Sequence, residues 1–309
     1  MLRYPICAMV LQDDPEVTVC QAALGLTVYL RDGNVWSRGG AAQLLDAFLA
    51  RAPIARLERY TTSLLNDWRV VSAAGIKSLR DALASWSWVH DRPRHFFSFQ
   101  IVDDYGAPAV GFSYQEIDEH RAARAALVEL TLPQDYDPME LFQLALEIAN
   151  LGPFYCGVGG LVARWNEHWK SAAFLQIYKW ARRYRGLDVQ DPQEMAWHAP
   201  RGLPGTSWLT LVGNELTPEV PLDLERLAQH TWRGDVGVIQ AAHGKVVRAG
   251  PTPVGGDVNA LEYPSDYAEV ARYLSPWLVA DPPQYWGDFW NNEDTLAYIR
   301  RLVEPEGWA

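Results

Sequence analysis

The chain has 309 residues, 49% of them hydrophobic and 21% charged, which suits a large buried core and excludes a disordered chain. Its net charge is −11, and the excess is concentrated, with ten acidic residues against two basic ones in 101–150 and ten against three in 251–309. That balance disfavours nucleic acid and anionic membranes as partners and favours a basic protein surface, while plain solubility accounts for the same charge.

The N-terminal apolar run stops at Asp13-Asp14-Pro15, too short for an export signal, and no stretch of about 18 apolar residues follows elsewhere. A cytoplasmic protein is expected. Cys7, Cys20 and Cys156, odd in number and widely spaced, suit reduced, buried thiols.

Leu24, Leu26, Val28 and Leu30 alternate before Arg31-Asp32-Gly33, which predicts a strand closed by a turn. Residues 40–51 and 72–86 carry a helical period, the second with Ile76, Leu79 and Leu83 on one stripe. HFFSFQIV from His95, PAVGFSY from Pro108 and ALVELTL from Ala126 then have the spacing of an antiparallel meander. Asp137-Pro138-Met139-Glu140 opens a helix with an N-cap acid, a first-turn proline and Glu140 placed for a capping box. Its buried stripe is Leu141, Leu144, Ala145 and Ile148.

After Gly152-Pro153 the pattern partly recurs. A short strand FYCGVGG leads to a helix over 171–183, the strand SWLTLVG at 207–213, a small helix at 223–229, two strands within 236–248 and a helix over 265–274. The fold class is α+β, an antiparallel or mixed sheet with packed helices. One domain is expected, and the recurrence leaves open two similar lobes, 1–135 and 136–309, with Pro192–Pro204 as a loop between them.

Motifs for chemistry are missing. The CGVGG stretch lacks the GxGxxG order, and no GxxxxGK[ST], GxSxG or HExxH occurs, so neither a cofactor nor a metal is expected and no catalytic residue is assigned. Carboxylate pairs of the glycosidase kind have no fixed spacing, so an enzyme with such a pair stays open as an alternative.

Two acidic groups stand out instead. Asp103 and Asp104 lie in one turn, and Glu116, Asp118 and Glu119 follow a strand. These are solvated hairpin ends and also what a surface needs to face the Arg and Lys of a basic partner. The tail PPQYWGDFWNNEDTLAYIRRL sets Trp286 and Trp290 among Asp288, Glu293 and Asp294, a mixture found at interface hot spots and equally in a packed last helix.

Several segments, in order and spacing, carry a likeness: LGLTVYLRDG near the start, CGVGGLVA (Cys156 to Ala163), WARRYRGLDV (Trp180 to Val189), TSWLTLVG (Thr206 to Gly213), RAGPTPVGGDVN (Arg248 to Asn259) and YAEVARYLSPW (Tyr267 to Trp277). With them the chain resembles, over roughly 17–305, the type VI secretion immunity family once called DUF3396, related to the TsiV immunity proteins. The resemblance implies a protein without catalysis that binds a cognate secreted toxin, one with a basic cleft, and occludes its active site or substrate cleft. A nuclease acting in the cytoplasm is the first expectation. None of the matching motifs is catalytic; they supply turn glycines and core aromatics. A structural or adaptor component of a secretion apparatus is the remaining alternative.

Overall fold

A computed structural model describes residues 6, 8–31, 39–63, 65–85, 96–104, 106–117, 124–285 and 290–308. The short β1 (Met9–Val10) and long β2 (Thr18–Leu30) precede α1 (Ala41–Arg51), β3 (Arg59–Thr62), β4 (Arg69–Val70) and α2 (Ala73–Ser85). The expected meander follows as β5 (Phe96–Val102), β6 (Gly111–Ile117) and β7 (Ala126–Pro133). Next come α3 (Pro138–Leu151), a second long strand β8 (Phe154–Trp165), α4 (Lys170–Arg183), β9 (Leu187–Asp188), α5 (Pro192–Met195) and β10 (Leu209–Gly213). The chain closes with α6 (Leu224–Gln229), the hairpin β11 (Val236–Ala241) and β12 (Gly244–Ala249), α7 (Ser265–Leu274) and α8 (Asn292–Ile299).

The strands form one sheet in the order β11-β12-β10-β8-β2-β7-β6-β5-β3-β4, with every pair on this path antiparallel and β9 beside β8 in parallel. The centre is β2 against β8, in register from Cys20 opposite Trp165 to Tyr29 opposite Cys156, after which the register shifts and sets Leu30 opposite Phe154. Strands from before and after α3 therefore lie on opposite sides of one seam. Both faces of β2 are covered over most of its length, which is why its apolar residues run on instead of strictly alternating. The glycines of β8 serve backbone approach: a Cβ on Gly157 would sit 2.7 Å from the Thr27 carbonyl oxygen.

One face carries the helices α1, α2 and α3. Phe48 of α1 meets Phe112 of β6 at 5.7 Å between ring centroids, and Phe112 meets Phe99 of β5 at 5.7 Å. Arg51 ties α1 to α3 through Glu140, at 3.0 Å, and Glu147. Asp137 does cap α3, accepting from the Met139 N–H at 2.9 Å. The capping box expected of Glu140 does not form, because its carboxylate is turned to Arg51.

The other face is covered only in part. Tyr29 of β2 donates to Gln190 Oε1 at 3.3 Å, and Tyr298 of α8 donates to the Leu187 carbonyl at 2.8 Å while accepting from the Val189 N–H at 2.9 Å. Pro192–Pro204 is thus no surface linker. Met195, Ala196, Ala199 and Leu203 are fully buried, and their apolar side chains account for the departure from a loop reading. Cys20 and Cys156 are buried free thiols; Cys7 lies outside the described residues. No helix among the described residues is long and apolar enough to cross a membrane.

Candidate interaction cleft

Strand alternation gives β5, β6, β7 and β2 two different faces. Phe99, Phe112, Tyr114, Val128 and Leu130 point to the helices and are buried. Gln100, Ser113, Glu129 and Thr27 stand opposite one another across four adjacent strands and point the other way. Gln100, Ser113 and Glu129 of this row, with Gln115, form the floor of a cleft of about 490 Å³ on the face opposite α1, α2 and α3. Its walls come from the 104–111 loop, Trp165 to Lys170 after β8, and Asp191 to Glu194 at the start of α5.

Acids dominate the lining. Asp104, Glu129, Glu167, Asp191 and Glu194 face it, against Arg164 and Lys170. Both cations are engaged: Arg164 pairs with Glu129 at 2.9 Å, and Lys170 with Glu167 at 3.3 Å. Asp191 caps α5, accepting from the Gln193 and Glu194 N–H groups at 3.2 and 3.3 Å, and burial pushes its carboxyl above the ordinary value. Asp104 accepts from the Gly106 N–H at 2.7 Å. Three polar atoms of the cleft have no hydrogen-bond partner although they are buried, namely Ser113 Oγ, Gln115 Oε1 and Arg164 Nε.

A second hollow of about 400 Å³ shares Asp104 and is lined by Glu16, Glu58, Arg59, Asp103, His168 and Trp169. Asp103 is a structural acid. It accepts from the Ala109 and Val110 N–H groups at 3.0 Å each and pairs with Arg56 at 2.8 Å, and burial outweighs these contacts and raises its pKa. The indoles of Trp68 and Trp165 line the first hollow and Trp169, 44% exposed, the second.

The structure places the expected contact residues unevenly. Asp103 and Asp104 reach the cleft region. Glu116 does not: it lies on the helix-covered face of β6, opposite Phe97, and is 2% exposed. Trp290 is 1% exposed, with its ring 5.2 Å from Trp308 and 5.4 Å from both Tyr178 and Tyr298, so it belongs to the core. Its apolar surface is better buried against three rings than left at the surface. Glu293 and Asp294 start α8 away from the cleft, and Asp294 closes a capping box with Asn291. Asp118, Glu119, Trp286 and Asp288 lie outside the described residues.

Sequence reasoning missed Ser113, Gln115, Glu129, Arg164 and the Asp191–Glu194 wall. The polar positions Gln100, Ser113 and Glu129 interrupting apolar strands were the available signal, since a face packed against apolar helices would not carry them. Among the described residues no group of three or more His, Cys, Asp or Glu is arranged to hold a metal ion.

The fold is shared with a solved type VI secretion protein. The Pseudomonas aeruginosa T6SS protein PA0821 superposes with a TM-score of 0.72 at 19% identity, over 94% of this chain and 88% of that one. The family described as TsiV, Type VI immunity for VRR-NUC, matches residues 44–302, and the chain belongs to that family of type VI immunity proteins. The family description implies a VRR-NUC nuclease toxin as partner. No curated protein matches the chain.

Proposed function

We propose that the protein neutralises its nuclease toxin by seating it in the polar cleft over β5, β6 and β7 and so blocking the toxin's substrate cleft. The observation that carries this reading is an acid-rimmed polar face left open on a sheet whose opposite face is packed with helices. A nuclease must present basic groups to DNA, and a cleft walled by Glu194, Asp191 and Asp104, with Glu58 and Glu16 in the adjoining hollow, is complementary to such groups. Trp68, Trp165 and Trp169 supply the aromatic anchors that slow release. In this reading the protein acts in the cytoplasm, has no reaction of its own and excludes nucleic acid by charge.

Catalysis by a carboxylate pair has less support. Asp103 and Asp191, whose pKa values are both raised by burial, line different hollows, and each already accepts two backbone N–H bonds.

The test is nuclease inhibition with purified toxin over a salt series. Wild type is expected to inhibit at one-to-one stoichiometry, and Glu58→Arg/Glu194→Arg to associate about tenfold more slowly at low salt, the gap closing as salt rises. Equal association rates at every salt concentration would remove the cleft from the interface.

A further inference from the structure

Ser113 and Gln115 lie two residues apart on β6, face the cleft, and are 9% and 8% exposed. The Ser113 Oγ and Gln115 Oε1 atoms are buried acceptors that the fold leaves unused. A buried polar atom without a partner is destabilising, a cost that a partner's donor would remove. Ser113 also stands directly opposite Glu129 in the β6–β7 register, where side chains are about 5 Å apart. Glu129 gives one carboxylate oxygen to Arg164. Three acceptors on neighbouring positions of β6 and β7 therefore face one cleft.

The sign of the field there follows from the walls. The Glu129–Arg164 and Glu167–Lys170 pairs each cancel, and Asp104, Asp191 and Glu194 outnumber Arg124, which bonds Gln193 and interacts with Glu194 and Asp191. The unused donor, Arg164 Nε, belongs to a guanidinium already held by Glu129 and adds no net positive charge to the spot. We infer that Ser113, Gln115 and Glu129 form a subsite for one cationic side chain, an arginine or a lysine, projected by the toxin. This rests on the reading of the cleft as the toxin-facing surface and deepens it from a diffuse charge match to one inserted residue. Such an insert would rest on Ser113 and Gln115, which are themselves nine-tenths buried, and a well-desolvated central contact can dominate an interface.

The test uses the full chain and the purified VRR-NUC domain of its toxin. Ser113→Ala/Gln115→Met keeps the size of the floor and removes two acceptors, and is expected to weaken binding tenfold or more, since bonds to a charged donor are worth about tenfold each. Gln115→Lys, which sets a cation where the guest belongs, is expected to weaken binding, and Gln115→Glu to tighten it. Misfolding cannot give opposite signs, so this pair remains decisive if the double variant is unstable. Single Arg→Ala and Lys→Ala variants of the toxin are then combined with Gln115→Met, and one of them is expected to add no further loss.

Glu58→Arg/Glu194→Arg is measured alongside. If it weakens binding while the floor variants do not, the cleft reading stands and the subsite is overturned. If neither weakens binding, both fall. Tighter binding by Gln115→Lys, or the absence of any coupled toxin cation, also overturns the subsite.

Discussion

Arg183 and Asp257 are joined by two hydrogen bonds, Nε to Oδ1 at 2.9 Å and a terminal nitrogen to Oδ2 at 2.7 Å, which fix the last turn of α4 to the turn after β12. Asp257 Oδ1 also accepts from the Asn259 N–H at 3.0 Å, so one carboxylate organises the turn and anchors it. The Asp-Val-Asn segment that contributes to the family likeness therefore has a structural task.

This pair makes stability depend on pH. The bond from Arg183 holds the Asp257 carboxyl below its ordinary value of 3.8. A depressed carboxyl contributes stability that is present above the unfolded value and is lost as pH falls through the folded one. Asp257→Asn is expected to be less stable than wild type at neutral pH, and the gap should close as pH is taken below 3.8. Urea unfolding at neutral pH and in acid measures it; a gap that does not change with pH would disprove the linkage.

Trp290 is core. Trp290→Ala is expected to lose about 3–5 kcal/mol of stability by opening a cavity among Trp308, Tyr178 and Tyr298. Trp290→Phe keeps an apolar ring and should leave toxin affinity within about threefold. Denaturant unfolding reads the first, and a loss of toxin affinity by a stably folded Trp290→Phe would restore the residue to the interface.

Gly157 leaves no room for a methyl group. An alanine Cβ would meet the Thr27 carbonyl oxygen at 2.7 Å and Val28 Cγ2 at 3.1 Å, within the β2–β8 seam. Gly157→Ala is expected to cost about 1–3 kcal/mol through overpacking. Hydrogen exchange of the β2 and β8 amides should accelerate in the same variant, and unchanged protection would show that the seam tolerates it.

The two described thiols are shielded. Burial pushes Cys20 up to about 12 and Cys156 higher still, and Cys156 Sγ lies 3.5 Å from the Ala199 carbonyl oxygen. A thiol reacts as its thiolate, so in a Cys7→Ser background neither should react with a disulfide reagent in the native state, and both should react in urea. Rapid native labelling would contradict this burial.

Much of this fold is legible in the sequence because its elements are strongly periodic. The meander at 96–132, the Asp137 cap of α3 and the helices near 41, 170 and 265 fall within a few residues of their expected places. Short strands such as β3, β4 and β9 escape notice because two to four residues show no period. The cleft was half legible. Asp103 and Asp104 could be found as an acidic turn, whereas Ser113 and Gln115 look like ordinary strand polar residues until the sheet shows that no helix answers them. Trp290 was misleading because an aromatic beside acids has the same local sequence whether its ring turns inward or outward.

The alternation of β5, β6 and β7 gives each strand two separate obligations. Phe99, Phe112, Tyr114 and Val128 answer to the helices, and Gln100, Ser113, Gln115 and Glu129 line the cleft proposed to receive the toxin. Every second residue can thus be rewritten to follow a changing adversary while the intervening residues keep the scaffold constant. With the toxin seated on that side as proposed, two proteins of this architecture could share a backbone at low sequence identity and still refuse each other's toxin.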